Sequence, residues 1–361
     1  MAEIEPITST YFHNKGIKLG LPISGSFEIT RKCNFNCKMC YVHSYDTSKD
    51  KNLSAEEWLK IAADAKKMGM LFLLITGGEP MVRPDFPHLY KELSKMGFVI
   101  SINTNGSLIS DEIMQLFKDY PPNRVNISLY GGSEYTYEKL CENRKFAVVT
   151  ENIKKLKENG VNVRINAVFN RFNSEDIEDV VKFTKENNII LKPTSYMYPT
   201  VRVNGETGEN DARLSPSEAA KINLKYRLLM SDADNMHDKA VDIMKLEPLD
   251  CGEADVEADG VRCRAGRSSF WVTYDGKLMP CGMMVEPVIS LKENSFADAW
   301  NYIREKTAQI RLPVECATCK NKKICNVCAA MCYAETGSFS GKPKYVCSMI
   351  DSICEEYKNY L

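Results

Sequence analysis

The stretch "LFLLITGG", residues 71–78, is a run of five apolar residues closed by Thr76 and two glycines. It is too short for a buried helix, and its abrupt glycine stop suits a strand buried on both faces of a parallel sheet. The same form recurs along the chain. "GSFEIT" (25–30), "GFVISINTNG" (97–106), "RVNISLYGG" (124–132), "VNVRINAVFN" (161–170) and "IILKPTSY" (189–196) read as further strands. Helical patterns lie between them, over 53–69 and near 86–96, 109–119, 134–142, 145–159 and 174–187. Ser54 and Glu57 form a capping box at the first of these. Six β–α units in series imply a parallel sheet with right-handed crossovers. Periodicity alone does not choose between an open doubly wound sheet and a partial barrel. In both, ligands gather at the C-terminal ends of the strands. The suggestive residues fall there: a cysteine loop after strand 1, Gly77-Gly78-Glu79-Pro80 after strand 2, Thr104-Asn105-Gly106 after strand 3 and Ser128 in strand 4.

The chain has 361 residues, which suits one large catalytic domain and a smaller one. A net charge of −1 gives no basic field for nucleic acid. The N-terminus "MAEIEPITST" lacks the basic and apolar regions of a signal peptide, and no apolar run is long enough to span a membrane. The expectation is a cytoplasmic protein with neither nucleic-acid nor membrane partners. There, clustered cysteines mean metal or redox sites more often than disulfides. Of 14 cysteines, three fall at 33–40, one at 141 and ten between 251 and 354. The expected division is a lead-in over 1–20, a core over 21–200, a linker with a helix over 201–250 and a cysteine-dense domain over 251–361. In the linker, Ser215 reads as an N-cap with Pro216 at the first helical position. "SFWVTYDGKLMPC" (269–281) reads as a hairpin around a two-residue Asp275-Gly276 turn.

Cys33, Cys37 and Cys40 are spaced C-x3-C-x2-C and followed by Tyr41. Three protein ligands leave a metal centre an open position, where chemistry takes place. With Gly77-Gly78-Glu79-Pro80 and the six β–α units, this triplet resembles the radical S-adenosylmethionine (SAM) enzymes. The resemblance covers about 20–200 and implies a partial (β/α)6 TIM-like barrel. It implies a [4Fe–4S] cluster on Cys33, Cys37 and Cys40, with SAM on the fourth iron. By the same likeness, Gly77, Gly78 and Glu79 hold the methionine amino group, Ser128 the ribose and Arg144 the methionine carboxylate, while Tyr41 lies by the adenine. Asn105 and Gly106 read as barrel-top structure.

The cysteine-dense end, from about 251 to 350, resembles the SPASM domain, which carries two auxiliary [4Fe–4S] clusters. The likeness gives Cys316, Cys319, Cys325 and Cys347 to an outer cluster, and Cys263, Cys281 and Cys328 to an inner one. The fourth inner ligand is open: Cys251 is preferred, with Cys332 or a substrate atom as alternatives. The chain departs from the commoner C-x3-C in having Cys325-x2-Cys328. Cys354 has no counterpart and reads as a helix-face residue. Cys141 and Cys332 are candidate thiol hydrogen donors.

The family implies reductive cleavage of SAM to a 5′-deoxyadenosyl radical, which takes a hydrogen atom from substrate. SPASM-domain users mostly modify peptides and proteins, so the leading expectation is maturation of a ribosomal peptide by crosslinking, epimerisation or oxidation. The expected partners are a peptide or small protein substrate, a separate leader-binding protein and an electron donor such as flavodoxin or ferredoxin. Sulfatase maturases, which form formylglycine, carry an aspartate where this chain has Gly282. Dehydrogenation of a small molecule or carbohydrate, and an iron–sulfur electron carrier with no enzyme activity, are the other readings.

Overall fold

The computed structural model describes residues 4–42, 52–204, 211–231, 260–322 and 324–358. Six parallel strands form the core: β1 (Ser24–Glu28), β2 (Phe72–Thr76), β3 (Val99–Thr104), β4 (Arg124–Ser128), β5 (Val163–Val168) and β6 (Ile190–Thr194). They lie side by side in chain order, each hydrogen-bonded to the next. The result is a partial (β/α)6 barrel. Helices α2 (Ala55–Lys67), α3 (Phe86–Lys95), α4 (Asp111–Asp119), α5 (Glu134–Cys141), α6 (Phe146–Glu158) and α7 (Ile177–Glu186) connect them. The Ser54–Glu57 capping box is present at α2. Pro193 sits in β6, an edge strand, where a missing amide donor is tolerated. The core is the apolar inner layer of the sheet and its helices, with Phe27, Trp58, Tyr90, Phe86 and Ile75 almost or wholly shielded from solvent.

The cysteine-rich end is continuous with the barrel. β7 (Ser269–Val272) pairs in parallel with β1, and β8 (Lys277–Met279) and β9 (Ile289–Ser290) follow antiparallel. The sheet therefore has nine strands among the described residues, in the order β6-β5-β4-β3-β2-β1-β7-β8-β9. The β7–β8 connection is longer than the two-residue turn read from Asp275-Gly276. Trp271 faces Met279 and Val272 faces Leu278, so the loop runs through Tyr274, Asp275 and Gly276. Thr273 decides this: its hydroxyl accepts from Lys277 N and donates to Asp275 at 2.6 Å, while Gly276 takes φ +89°.

Residues 4–19, read as a lead-in, form helix α1 (Ile4–Leu19). It is tied to the cysteine-rich end by His13 Nδ1 and Ser268 Oγ at 2.8 Å. At the far edge of the barrel, α9 (Pro216–Met230), which follows the short α8 (Val201–Asn204), starts with the expected Ser215 N-cap and Pro216. The C-terminal helices are α10 (Phe296–Ala308), α11 (Ala329–Thr336) and α12 (Lys344–Lys358). The last packs on α9 around Tyr196, Leu214, Leu224 and Ile350. The cysteine-rich region thus touches the β1 edge through β7 and the β6 side through α9. No described helix is long and apolar enough to cross a membrane.

Candidate active site

Strand ends and the loop after β1 enclose a cavity of about 370 Å³. Cys33, Cys37, Cys40 and Tyr41 line it, together with Gly77, Gly78, Thr104, Asn105 and Ser128. The loop that carries the three thiols is anchored from two sides. Asn36 N and Lys38 N donate to the carbonyls of Cys141 and Leu140 at the end of α5, at 3.3 and 3.0 Å. Asn105 Nδ2 donates to Asn34 Oδ1 at 2.8 Å and lies 3.9 Å from Cys33 Sγ. On the other flank, Gly78 N donates to Thr30 O at 2.7 Å and Glu79 N to Lys32 O at 2.9 Å. This approach needs glycine. A Cβ on Gly77 would lie 2.5 Å from Thr30 O, and one on Gly78 would lie 2.4 Å from the carbonyls of Arg31 and Lys32.

Glu79 lies beneath this wall and does not line the cavity. Its carboxylate accepts from Asn105 N at 2.7 Å, Met81 N at 3.1 Å and Thr104 Oγ1 at 2.9 Å. It locks the β2 and β3 ends together. Burial pushes its pKa up to about 7, although the three hydrogen bonds pull it down. The structure does not bring Arg144 to the cavity. It lies on the surface, 2.9 Å from Glu138, two residues past the αL residue Glu142 that ends α5.

The three thiols suit a metal cluster. Burial, the Glu79 carboxylate and the neighbouring thiols push Cys33 up to about 12, so a thiolate set here requires a compensating cation. Among the described residues, no three Cys, His, Asp or Glu side chains converge as they would on a single ion. A four-iron cluster holds each thiolate on its own iron and needs no such convergence.

The rest of the wall includes Tyr130; Tyr196, Met197 and Tyr198 after β6; and Met283 and Met331 of the C-terminal region, beside Phe35, Asn103 and Thr194. Among the described residues, no Lys, Arg, His, Asp or Glu lines the cavity. Neither Cys141 nor Cys332 lines it either; both are fully buried. The Cys141 thiol helps push the Cys37 pKa up, and Cys332 is packed in an apolar cluster with Met284 and Ile310, which pushes its pKa up to about 12.

Sequence reasoning missed the tyrosine and methionine wall. Tyr196 and Tyr198 alternate just past a strand end, a signal that was available; Met283 and Met331 carried none. It also missed a buried polar bridge. Arg202 pairs with Glu28 at 2.8 Å and donates to Gly282 O at 2.8 Å. Trp271 Nε1 donates to the same Glu28 oxygen at 2.8 Å. A Cβ on Gly282 would meet the Trp271 indole at 2.8 Å, so the indole occupies the place where an aspartate side chain would begin.

In the C-terminal region, Cys316, Cys319, Cys325 and Cys347 line a second cavity of about 210 Å³, with Arg262, Lys320 and Lys342 around them. Burial and the other thiols push Cys325 up to about 11. Cys263, Cys281 and Cys328 border one apolar cluster with Tyr198 and Val327. Cys251 lies outside the described residues. Cys354, on α12, is half-buried, 3.7 Å from Asn321 Oδ1.

Residues 27–184 match the model of the Radical SAM superfamily, and the chain carries a domain of that family. Among curated proteins, the chain is 25% identical over 337 residues to an AdoMet-dependent heme synthase of Methanosarcina barkeri, covering 89% of this chain and 95% of that one. Its fold is similar to Streptococcus suis SuiB bound to precursor peptide SuiA (TM-score 0.67, 20% identity, 95% of this chain and 80% of that one). It is also similar to anSMEcpe with bound AdoMet and Kp18Cys peptide (TM-score 0.70, 16% identity, 93% and 96%).

Proposed function

From a chain that carries a Radical SAM domain, we propose an enzyme with three [4Fe–4S] clusters that removes a hydrogen atom from a residue of a peptide. Cys33, Cys37 and Cys40 hold the first cluster. Cys316, Cys319, Cys325 and Cys347 hold an outer auxiliary cluster, and Cys263, Cys281 and Cys328 an inner one. When bound, the first cluster and SAM supply the 5′-deoxyadenosyl radical. The Gly77–Gly78 backbone and the Ser128 hydroxyl receive SAM at the strand ends, with Tyr41 beside it. Glu79 acts indirectly, by fixing the Gly77–Gly78 turn against Asn105. Arg144, on the surface, has no part in this reading.

One observation carries the choice of substrate: the cavity wall of tyrosine and methionine, with no charged side chain among the described residues. Such a wall accepts a neutral side chain and adapts to its shape through methionine. The two structural neighbours with bound peptides agree with this. A second reading rests on the near full-length likeness to an AdoMet-dependent heme synthase. A porphyrin's carboxylates would meet no cation on the described wall, which favours the peptide.

The test is anaerobic reconstitution, reduction and incubation with SAM, alone and with any short peptide found encoded beside this reading frame. Release of 5′-deoxyadenosine, together with a mass change in the peptide, is expected. No release with any reductant would overturn the enzyme reading. Release with turnover of a porphyrin precursor and none of the peptide would favour the second.

A further inference from the structure

Tyr198, like Met283, both lines the main cavity and packs against the cluster bordered by Cys263 and Cys281. Its hydroxyl lies 3.7 Å from Cys328 Sγ. The ring is held in place from behind. Tyr196 meets it edge-on at 4.9 Å, and the Tyr196 hydroxyl donates to Glu335 at 2.8 Å. Glu335 is itself fixed by a buried ion pair with Arg213 at 2.6 Å. A side chain so restrained keeps its hydroxyl aimed at the sulfur.

We propose that Tyr198 is a positioning residue between the substrate cavity and the inner auxiliary cluster, its hydroxyl donating a hydrogen bond to the Cys328 thiolate and raising that cluster's reduction potential. This rests on the reading that Cys263, Cys281 and Cys328 hold a cluster. A cysteine on iron is a thiolate with no proton to give, so the direction of the bond is set and the phenol is the donor. Hydrogen bonds to ligand sulfurs are among the features that set iron–sulfur potentials. A donor offsets thiolate charge and favours the reduced, more negative cluster.

The test is Tyr198→Phe, which keeps the ring and removes the hydroxyl, with Tyr196→Phe as control because that hydroxyl goes to Glu335. Each protein is reconstituted anaerobically, assayed for iron and sulfide, and titrated with reductant under EPR. Tyr198→Phe is expected to hold the wild-type iron content, with one auxiliary midpoint moved to lower potential and the first cluster unmoved. Tyr196→Phe is expected to leave all midpoints in place. Full iron with unmoved potentials in Tyr198→Phe overturns the inference alone. Loss of iron in that variant also overturns it, since the side chain would then be only structural. A wild-type chain that binds a single cluster overturns the three-cluster reading, and this inference with it.

Discussion

The Glu79 carboxyl is fully buried, with a pKa raised from 4.5 to about 7 chiefly by desolvation. A carboxyl whose pKa is higher in the folded state binds its proton more tightly there. Its contribution to stability is therefore complete below pH 4.5 and is given up as pH rises to about 7. The wild type should lose on the order of 3 kcal/mol across that interval from this group. Glu79→Gln should flatten that part of the profile in anaerobic denaturation. Below pH 4.5 it should also lower stability, because the amide presents a donor to Asn105 N or Met81 N. The motif Gly77-Gly78-Glu79 is legible in sequence as a ligand-site signal. That the glycines admit the Thr30–Lys32 backbone while the buried glutamate bonds Thr104 and Asn105 from outside the cavity lining follows only from the approach of two strand ends.

Among the elements, the segment after β6 is fastened to the strand β1 and to the loop after β8 by one buried ion pair. Glu28 is wholly shielded and shares one oxygen between Arg202 and Trp271, while its other oxygen has no hydrogen-bond partner among the described residues. Burial raises its pKa despite the guanidinium. Removing the cation leaves a buried carboxylate uncompensated. Arg202→Met should thus destabilise by about 3–5 kcal/mol, and adding Glu28→Gln should recover part of it. Denaturant titration of the single and double variants measures both. Equal stability of Arg202→Met and wild type would show the pair to be dispensable. No local pattern pairs residues 28 and 202, since the contact exists only once β7 has brought Trp271 and Gly282 beside β1.

At the scale of the whole molecule, the cysteine-rich region is part of the barrel sheet. β7 covers the backbone edge of β1, and Phe270 packs among Phe27, Phe296 and Trp300. A chain ending before residue 260 would expose that edge and its aromatic face. It is expected to aggregate rather than yield a soluble barrel. Expression and size-exclusion chromatography of the truncated chain check this, and a monomeric, folded product would refute it.

The sequence by itself determined the order of strands and helices, the capping of α2 and α9 and the crowding of thiols, because these depend on neighbours within a few residues. It also carried the family likeness, through the spacing of Cys33, Cys37 and Cys40 and the glycines at 77 and 78. Only the tertiary structure decided that β7 extends the barrel sheet, that Arg144 stays on the surface and that Tyr196, Tyr198, Met283 and Met331 form an uncharged wall. Those outcomes depend on which distant segments win a shared edge or cavity. That competition is settled by burial of whole surfaces, which no local spacing records.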